Sequence, residues 1–227
     1  MKKLICFFYS IYIRFFAFLK RQNIRIEKSE LFKLRILSNK DNSVFFRHCK
    51  CFRSSLLIEG RENSICIEGS VKNCNIKIVG TGNKLIVNDA RIDKMRLVIR
   101  GKNCLVKIEK GTSIGSAFVV CMGQGNSIIV GEKCMFAESV DIWSSDSHPI
   151  YDKKGEILNK SKPIIIGNKV WLGKNVQVLK GVTIGEGTIV GMGSIVTKNL
   201  NSHSLYAGNP IRVLKESISW DKCFIEV

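Results

Sequence analysis

The chain has 227 residues, 36 Lys and Arg against 19 Asp and Glu, a formal net charge of +17 and a pI near 9.6. That length allows one large core or two small ones, and that charge asks for an anionic partner: nucleic acid, an anionic membrane or a phosphate-rich small molecule. No nucleic-acid motif is present and aromatics are sparse outside the N-terminus, which sets nucleic acid aside; nine cysteines, odd in number and without a CxxC pair or zinc spacing, set aside a disulfide framework.

Residues 1–50 differ from the rest and read as a basic, apolar N-terminal extension. They hold twelve Lys and Arg against Glu27, Glu30 and Asp41. Met1–Arg21 carries an apolar aromatic run broken by Arg14. It is short for a span of about 20 residues and has no small-residue cleavage site. A helix there would either lie on an anionic leaflet, with peripheral contact through residues 1–25, or pack on the body of the protein or a neighbouring subunit.

From Leu56 to Val130 a loose repeat starts at Gly60, Gly80, Gly101 and Gly123. Each unit is a glycine–asparagine turn followed by an alternating strand, as in one coil of a solenoid. Strict six-residue spacing emerges at Ile108, Ile114 and Val120, lapses, and returns at Val130, Phe136 and Ile142; Cys134 falls on an inward position and reads as a buried free thiol, suited to a reducing cytosol. Residues 144–163 then break the pattern with a polar excursion holding Asp146, His148 and two prolines. Long excursions inside a compact repeat are commonly functional.

The most regular stretch follows, Ile164–Val196. Every sixth residue is aliphatic: Ile166, Leu172, Val178, Ile184, Val190, Val196. Two positions earlier stand Ile164, Val170, Val176, Val182, Thr188 and Ser194. Residues two apart on an extended chain share a face, so both sets point inward, and a helical period cannot hold a register of six. Gly167, Gly173, Gly185 and Gly191 fill the corners, where positive φ or close turning is cheap. The reading is an all-β parallel solenoid over residues 51–215, with a tail over 216–227 near which a short helix would carry Trp220. Trp171 sits between two inward residues and therefore faces outward.

With the WLG, GMGSIVTK and AGNPIRV pieces of this sequence, residues 105–215 resemble the hexapeptide-repeat acyltransferases, in the sugar O-acetyltransferase branch. The resemblance implies a left-handed parallel β-helix, a homotrimer, and acetyl-CoA bound in grooves between subunits as acyl donor, with no metal. It implies that His148, in its Ser-His-Pro context, is the catalytic base; an imidazole suits proton removal at neutral pH. Trp171 would line the transfer site across the subunit boundary, and Asp146, or equally a main-chain carbonyl, would orient the imidazole. Lys174, Gly191, Met192, Thr197, Lys198, Arg212 and Lys215 match positions toward the cofactor, although Met192 stands where such proteins often have Ala. The acceptor is expected to be a hydroxyl of a surface polysaccharide or its precursor, in the cytoplasm or at the inner face of a bacterial cytoplasmic membrane. Alternatives are transfer to the amine of a nucleotide-linked amino sugar, transfer to serine, and a non-enzymatic glycan-binding scaffold. A zinc-dependent hydratase on the same fold would need more histidines at metal spacing than the three present, His48, His148 and His203. Of these, His48 and His203 read as ordinary surface residues.

Overall fold

The computed structural model describes residues 23–223. Within them the chain forms 23 β-strands and no helix. Successive coils stack in parallel register, and all the inter-strand pairings are parallel except one C-terminal hairpin. Three walls result. One carries Leu105–Ile108, Ser127–Val130, Ile164–Ile166 and Thr183–Ile184. The second carries Ser113–Ile114, Met135–Phe136, Trp171–Leu172, Ile189–Val190 and Leu205–Ala207. These two walls form one 15-stranded sheet, because Lys84–Ile92 runs round their shared corner and pairs with a strand on each. The third wall is a separate 8-stranded sheet that includes Met95–Lys102, Ala117–Gln124, Val140–Trp143, Gln177–Leu179 and Ile195–Val196.

The interior is a single apolar column from Ile26 to Ile211. All twelve residues expected to point inward between Ile164 and Val196 are at most 1% exposed. Like stacks on like along the axis: Ile128 on Ile164, Ile166 on Ile184, Leu172 on Val190, Val178 on Val196. Branched side chains suit this pleated, fully covered surface, and each adds about 1.5–3 kcal/mol of burial. Cys134 is buried in the same column, and the eight described cysteines are free. Burial pushes the thiols of Cys51 and Cys134 up to about 11 and that of Cys74 to about 12, so they behave as small apolar side chains.

Several expectations change. The stack does not begin at residue 51: Asn23–Glu27 and Glu30–Phe32 pair with Ser43–Phe52, and Arg35–Leu37 pairs with Ser55–Arg61. Ile26, Leu31, Val44 and Phe46 supply an inward series that the surrounding basic residues obscured. The helix read over Met1–Arg21 lies outside the described residues, and with it most of the membrane contact assigned to residues 1–25. No described helix is long and apolar enough to cross a membrane. Each early coil holds a strand on the third wall and a longer one bent round the opposite corner, where one strand per coil was expected.

Of the two reasons expected for glycine at the corners, close approach is the one found. Gly167, Gly173 and Gly185 do not have positive φ; a Cβ there would stand 2.8, 2.7 and 2.4 Å from a backbone nitrogen of the next coil. Left-handed backbone falls elsewhere in each hexad, at Lys169, Asn175, Gly181, Gly187 and Gly193, with φ of 50–78°. One corner position is therefore glycine for contact and another is left-handed for the turn.

Candidate active site

The excursion is a small hairpin. It leaves the third wall after Val140–Trp143 and rejoins the first wall at Ile164. Ser144 still belongs to the stack, since its N–H donates to Val120 O and its carbonyl accepts from Asn126 Nδ2 and Lys162 N. Tyr151 and Ile157 then pair antiparallel across a turn in which Asp152 Oδ1 accepts the N–H groups of Lys154 and Glu156. Ile150, Tyr151, Ile157 and Leu158 are 43–64% exposed, so the projecting arm carries an apolar surface where only polar character was expected.

His148 stands at the base of this arm, exposed, with its backbone held at both ends: N–H to Asp146 O at 2.8 Å and carbonyl from Asn159 Nδ2 at 2.9 Å. Its imidazole makes no hydrogen bond among the described residues. Asp146, read as a partner for that ring, has its carboxylate on Lys180 Nζ and Asn159 Nδ2 instead. The Lys180 ammonium, with Asn159, holds the Asp146 carboxyl below the usual carboxylate range. Asp146 thus fastens the arm to the third wall. Beside it runs a groove of about 260 Å³ lined by Asp141, Trp143, Asp146, Gln177, Leu179 and Lys180 among others. Burial pushes the Asp141 carboxyl up. Trp143 and Asp141 were legible as the outward partners of Val140 and Ile142; Lys180 and Asn159 carried no signal, because only the folded arm brings them to Asp146.

Trp171 faces outward on the second wall, stacked between Met135 and Ile189 of adjacent coils. Its ring lies 5.7 Å from that of Trp220, tilted by 48°. Trp220 is held by its Nε1–H donating to Lys169 O at 2.7 Å, in an irregular segment and not in the expected helix. Trp171 and His148 occupy different walls of one chain and make no contact with each other.

The residues assigned to the cofactor gather at the C-terminal end. Met192, 71% exposed, and Lys174 share one corner: Gly193 N donates to Lys174 O, and a Cβ on Gly173 would stand 2.7 Å from Met192 N. Gly191 N donates to Tyr206 O, and Gly191 abuts Ala207, the strand partner of Arg212. Lys215 lies on the same hairpin strand, Arg212–Lys215, while Thr197 and Lys198 extend from the last coil. Lys174 is paired with Glu138 at 3.6 Å, whereas Lys198, Arg212 and Lys215 have no ion pair among the described residues. His203 lies on the corner over Gly187, and His48 on the opposite half of the stack. Among the described residues no group of three His, Cys, Asp or Glu could hold a metal.

Residues 163–198 match the family described as bacterial transferase hexapeptide (six repeats). The chain is 34% identical over 125 residues to a polysialic acid O-acetyltransferase of Neisseria meningitidis, covering 53% of this chain and 57% of that protein. It is 42% identical over 124 residues to one of Escherichia coli O1:K1 / APEC, covering 54% and 40%. The chain therefore spans about half the length of the curated relatives it matches. The solved structure of the polysialic acid O-acetyltransferase OatWY superposes with a TM-score of 0.64 at 26% identity, covering 89% of this chain and 90% of that one. The most regular coils, from Ile164 to Val196, fall within the stretch that the hexapeptide model matches, and in this they are similar to those of hexapeptide-repeat transferases.

Proposed function

We propose that the protein is an acetyl-CoA-dependent O-acetyltransferase acting on a hydroxyl of a polysaccharide. The observation that carries this reading is His148, held by its backbone at the root of an arm that leaves the stack, its ring without a hydrogen bond among the described residues. The similarity to polysialic acid O-acetyltransferases supports the reaction class. In the proposed reaction the acceptor hydroxyl oxygen attacks the thioester carbonyl carbon while His148 takes its proton. The tetrahedral oxyanion collapses, the carbon–sulfur bond breaks, and the imidazolium returns the proton to the CoA thiolate, leaving a sugar ester. A base so placed is worth about 10²–10⁴ in rate.

The solenoid is read as left-handed and the working unit as a trimer. In one chain His148 and Trp171 lie on different walls, so an arm with four exposed apolar residues reaching a neighbouring copy would bring a second chain's Trp171 to the imidazole. Lys174, Gly191, Met192, Thr197, Lys198, Arg212 and Lys215 suit an extended polyphosphate ligand: three cations without an ion pair among the described residues, with glycine and an exposed thioether beside them. The chemistry is assigned to the cytoplasm, in keeping with eight free thiols.

The test is to incubate purified protein with labelled acetyl-CoA and a panel of bacterial glycans. Label should enter one glycan as an ester, and mass spectrometry separates ester from amide. His148→Ala should lower incorporation by about 10²–10⁴; full turnover by that variant would overturn the mechanism.

A further inference from the structure

After the strand Arg212–Lys215 the chain turns back and descends one corner of the stack against the direction in which the coils were laid down. Ile218 N donates to His203 O at 2.8 Å, Trp220 Nε1 to Lys169 O at 2.7 Å, and Lys222 Nζ to Gly111 O at 2.7 Å and Ser113 Oγ at 3.3 Å. The segment is thus a strap laid across successive coils. Lys133 and Lys169 both occupy left-handed corner positions, where Gly111 and Gly187 stand in neighbouring coils. A side chain at such a position costs about 1–2 kcal/mol, so the lysines are not the cheapest choice for the turn.

Between strap and corner lies a cavity of about 290 Å³, lined by Gly111, Lys133, Lys169, Trp220, Asp221 and Lys222. Neither Lys133 nor Lys169 nor Lys222 has an ion pair among the described residues. Three ammonium groups against one carboxylate leave an excess of positive charge, and the Trp220 ring offers a flat apolar platform with its polar N–H already engaged. The cavity adjoins Trp171 through the ring contact. It also shares Gly111 and Lys222 with a larger groove of about 570 Å³ that continues along the corner past Arg91 and Lys50.

We infer that this strap-built cavity is a binding subsite for a carboxylate-bearing sugar, one unit of an acidic glycan, with Lys133, Lys169 and Lys222 on the carboxylate and Trp220 under the ring. A sugar carboxylate supplies one compact charge beside an apolar ring face, which matches exposed cations set around an indole; a neutral sugar would leave those ammoniums to water and draw no selectivity from them. The assignment of the bound unit as the acceptor rests on the O-acetyltransferase reading. The binding itself does not.

The experiment is equilibrium binding at low salt, followed by tryptophan fluorescence, of a short sialic acid oligomer and of the same oligomer with its carboxylates reduced to alcohols. The unaltered protein should bind the acidic form about ten-fold or more tightly than the reduced form. Lys133→Gln with Lys169→Gln should erase that preference. Asp221→Asn should strengthen acidic binding several-fold, a change that a folding defect cannot mimic. Equal affinity for the two forms in wild type, or an unaltered preference in the double variant, overturns the subsite. So does a double variant that weakens acetyl-CoA binding and spares the oligomer, since the lysines would then serve the cofactor phosphates. If the wild type binds the acidic oligomer as stated but transfers no acetyl group to any glycan, the subsite stands and the enzymatic reading falls.

Discussion

The two halves of the stack solve the same geometrical problem with different chemistry. In the early coils, Gly60, Gly80, Gly101 and Gly123 lie in one register column, each with φ between 108° and 138°, and a Cβ on any of the first three would stand within 2.0 Å of the next carbonyl oxygen. Beside this column runs a buried asparagine ladder. Asn63 N and Nδ2 donate to Asn42 Oδ1, Asn83 N and Nδ2 donate to Asn63 Oδ1, and Cys104 N donates to Asn83 Oδ1. The late coils have no such ladder; their inner corners hold Val170, Val176 and Val182, and their turns are made by separate contact and left-handed positions. The coil repeat shortens in step, from 21 residues between Asn42 and Asn63 to 18 between Trp171 and Ile189. Tight, apolar corners leave the outer surface to support additions, and both the hairpin arm and the strap's aromatic contact sit on that half.

The sharpest division between the halves is chemical. His148→Ala, in the late half, should lower acetyl transfer by about 10²–10⁴ with little change in unfolding midpoint, read by labelled acetyl incorporation beside a thermal melt. An arm whose loss left transfer intact would dissolve the distinction.

Next in size is the glycine column. Gly80→Ala must relieve a 1.9 Å approach to Gly101 O at a φ of 122°, and should cost roughly 3 kcal/mol or more. Gly193→Ala in the late half has φ of 72° with open space around the added methyl, and should cost only about 1–2 kcal/mol. Urea unfolding of the two variants measures the contrast; equal costs would mean that the two corners are mechanically alike. Asn63→Ala should follow at about 1–3 kcal/mol, because it strands the buried backbone N–H of Asn83 and one of its amide hydrogens, the other still reaching Gly101 O. Thr188→Val in the late coils removes one hydrogen bond, to Asn201 O, and should cost less.

How much of this was legible follows from which interactions are periodic. The inward sets of Ile164–Val196 were readable residue by residue, because a stacked coil repeats its demand every six positions and nothing else competes. The early coils were readable as coils but not as ladders: a glycine–asparagine pair looks like a surface turn, and only stacking turns the asparagine inward. The strands at Asn23–Leu37 were hidden because their short inward series sits among arginines and lysines that face solvent. His148 stood out because it lies where the repeat breaks, and Trp171 because it is an outward aromatic in an unbroken hexad. The partners of Asp146, and the return of Trp220 to Trp171 across 49 positions of sequence, depend on chain reversals that no local spacing encodes.

The smallest effect bears on how the arm is attached to the late half. Asp146 links Lys180 of the wall to Asn159 of the arm, and its side chain is 45% exposed, so the pair should contribute under about 1 kcal/mol. Its carboxyl is held below the usual range by Lys180, then by Asn159. A group with a depressed folded pKa stabilises above its unfolded pKa and loses that contribution as pH falls through the folded one. The tether should therefore persist through neutral pH and give way only below the ordinary carboxylate range. Amide exchange at His148 and Ile150, whose N–H groups bond to Asp146 O and Asn159 Oδ1, reports the loosening. Asp146→Asn, compared at each pH, removes the ordinary acid dependence of exchange. Lys180→Met should move the transition upward toward the ordinary carboxylate range, because the cation that depresses the Asp146 carboxyl is gone; a transition that stays in place would assign the arm's attachment to Asn159 alone.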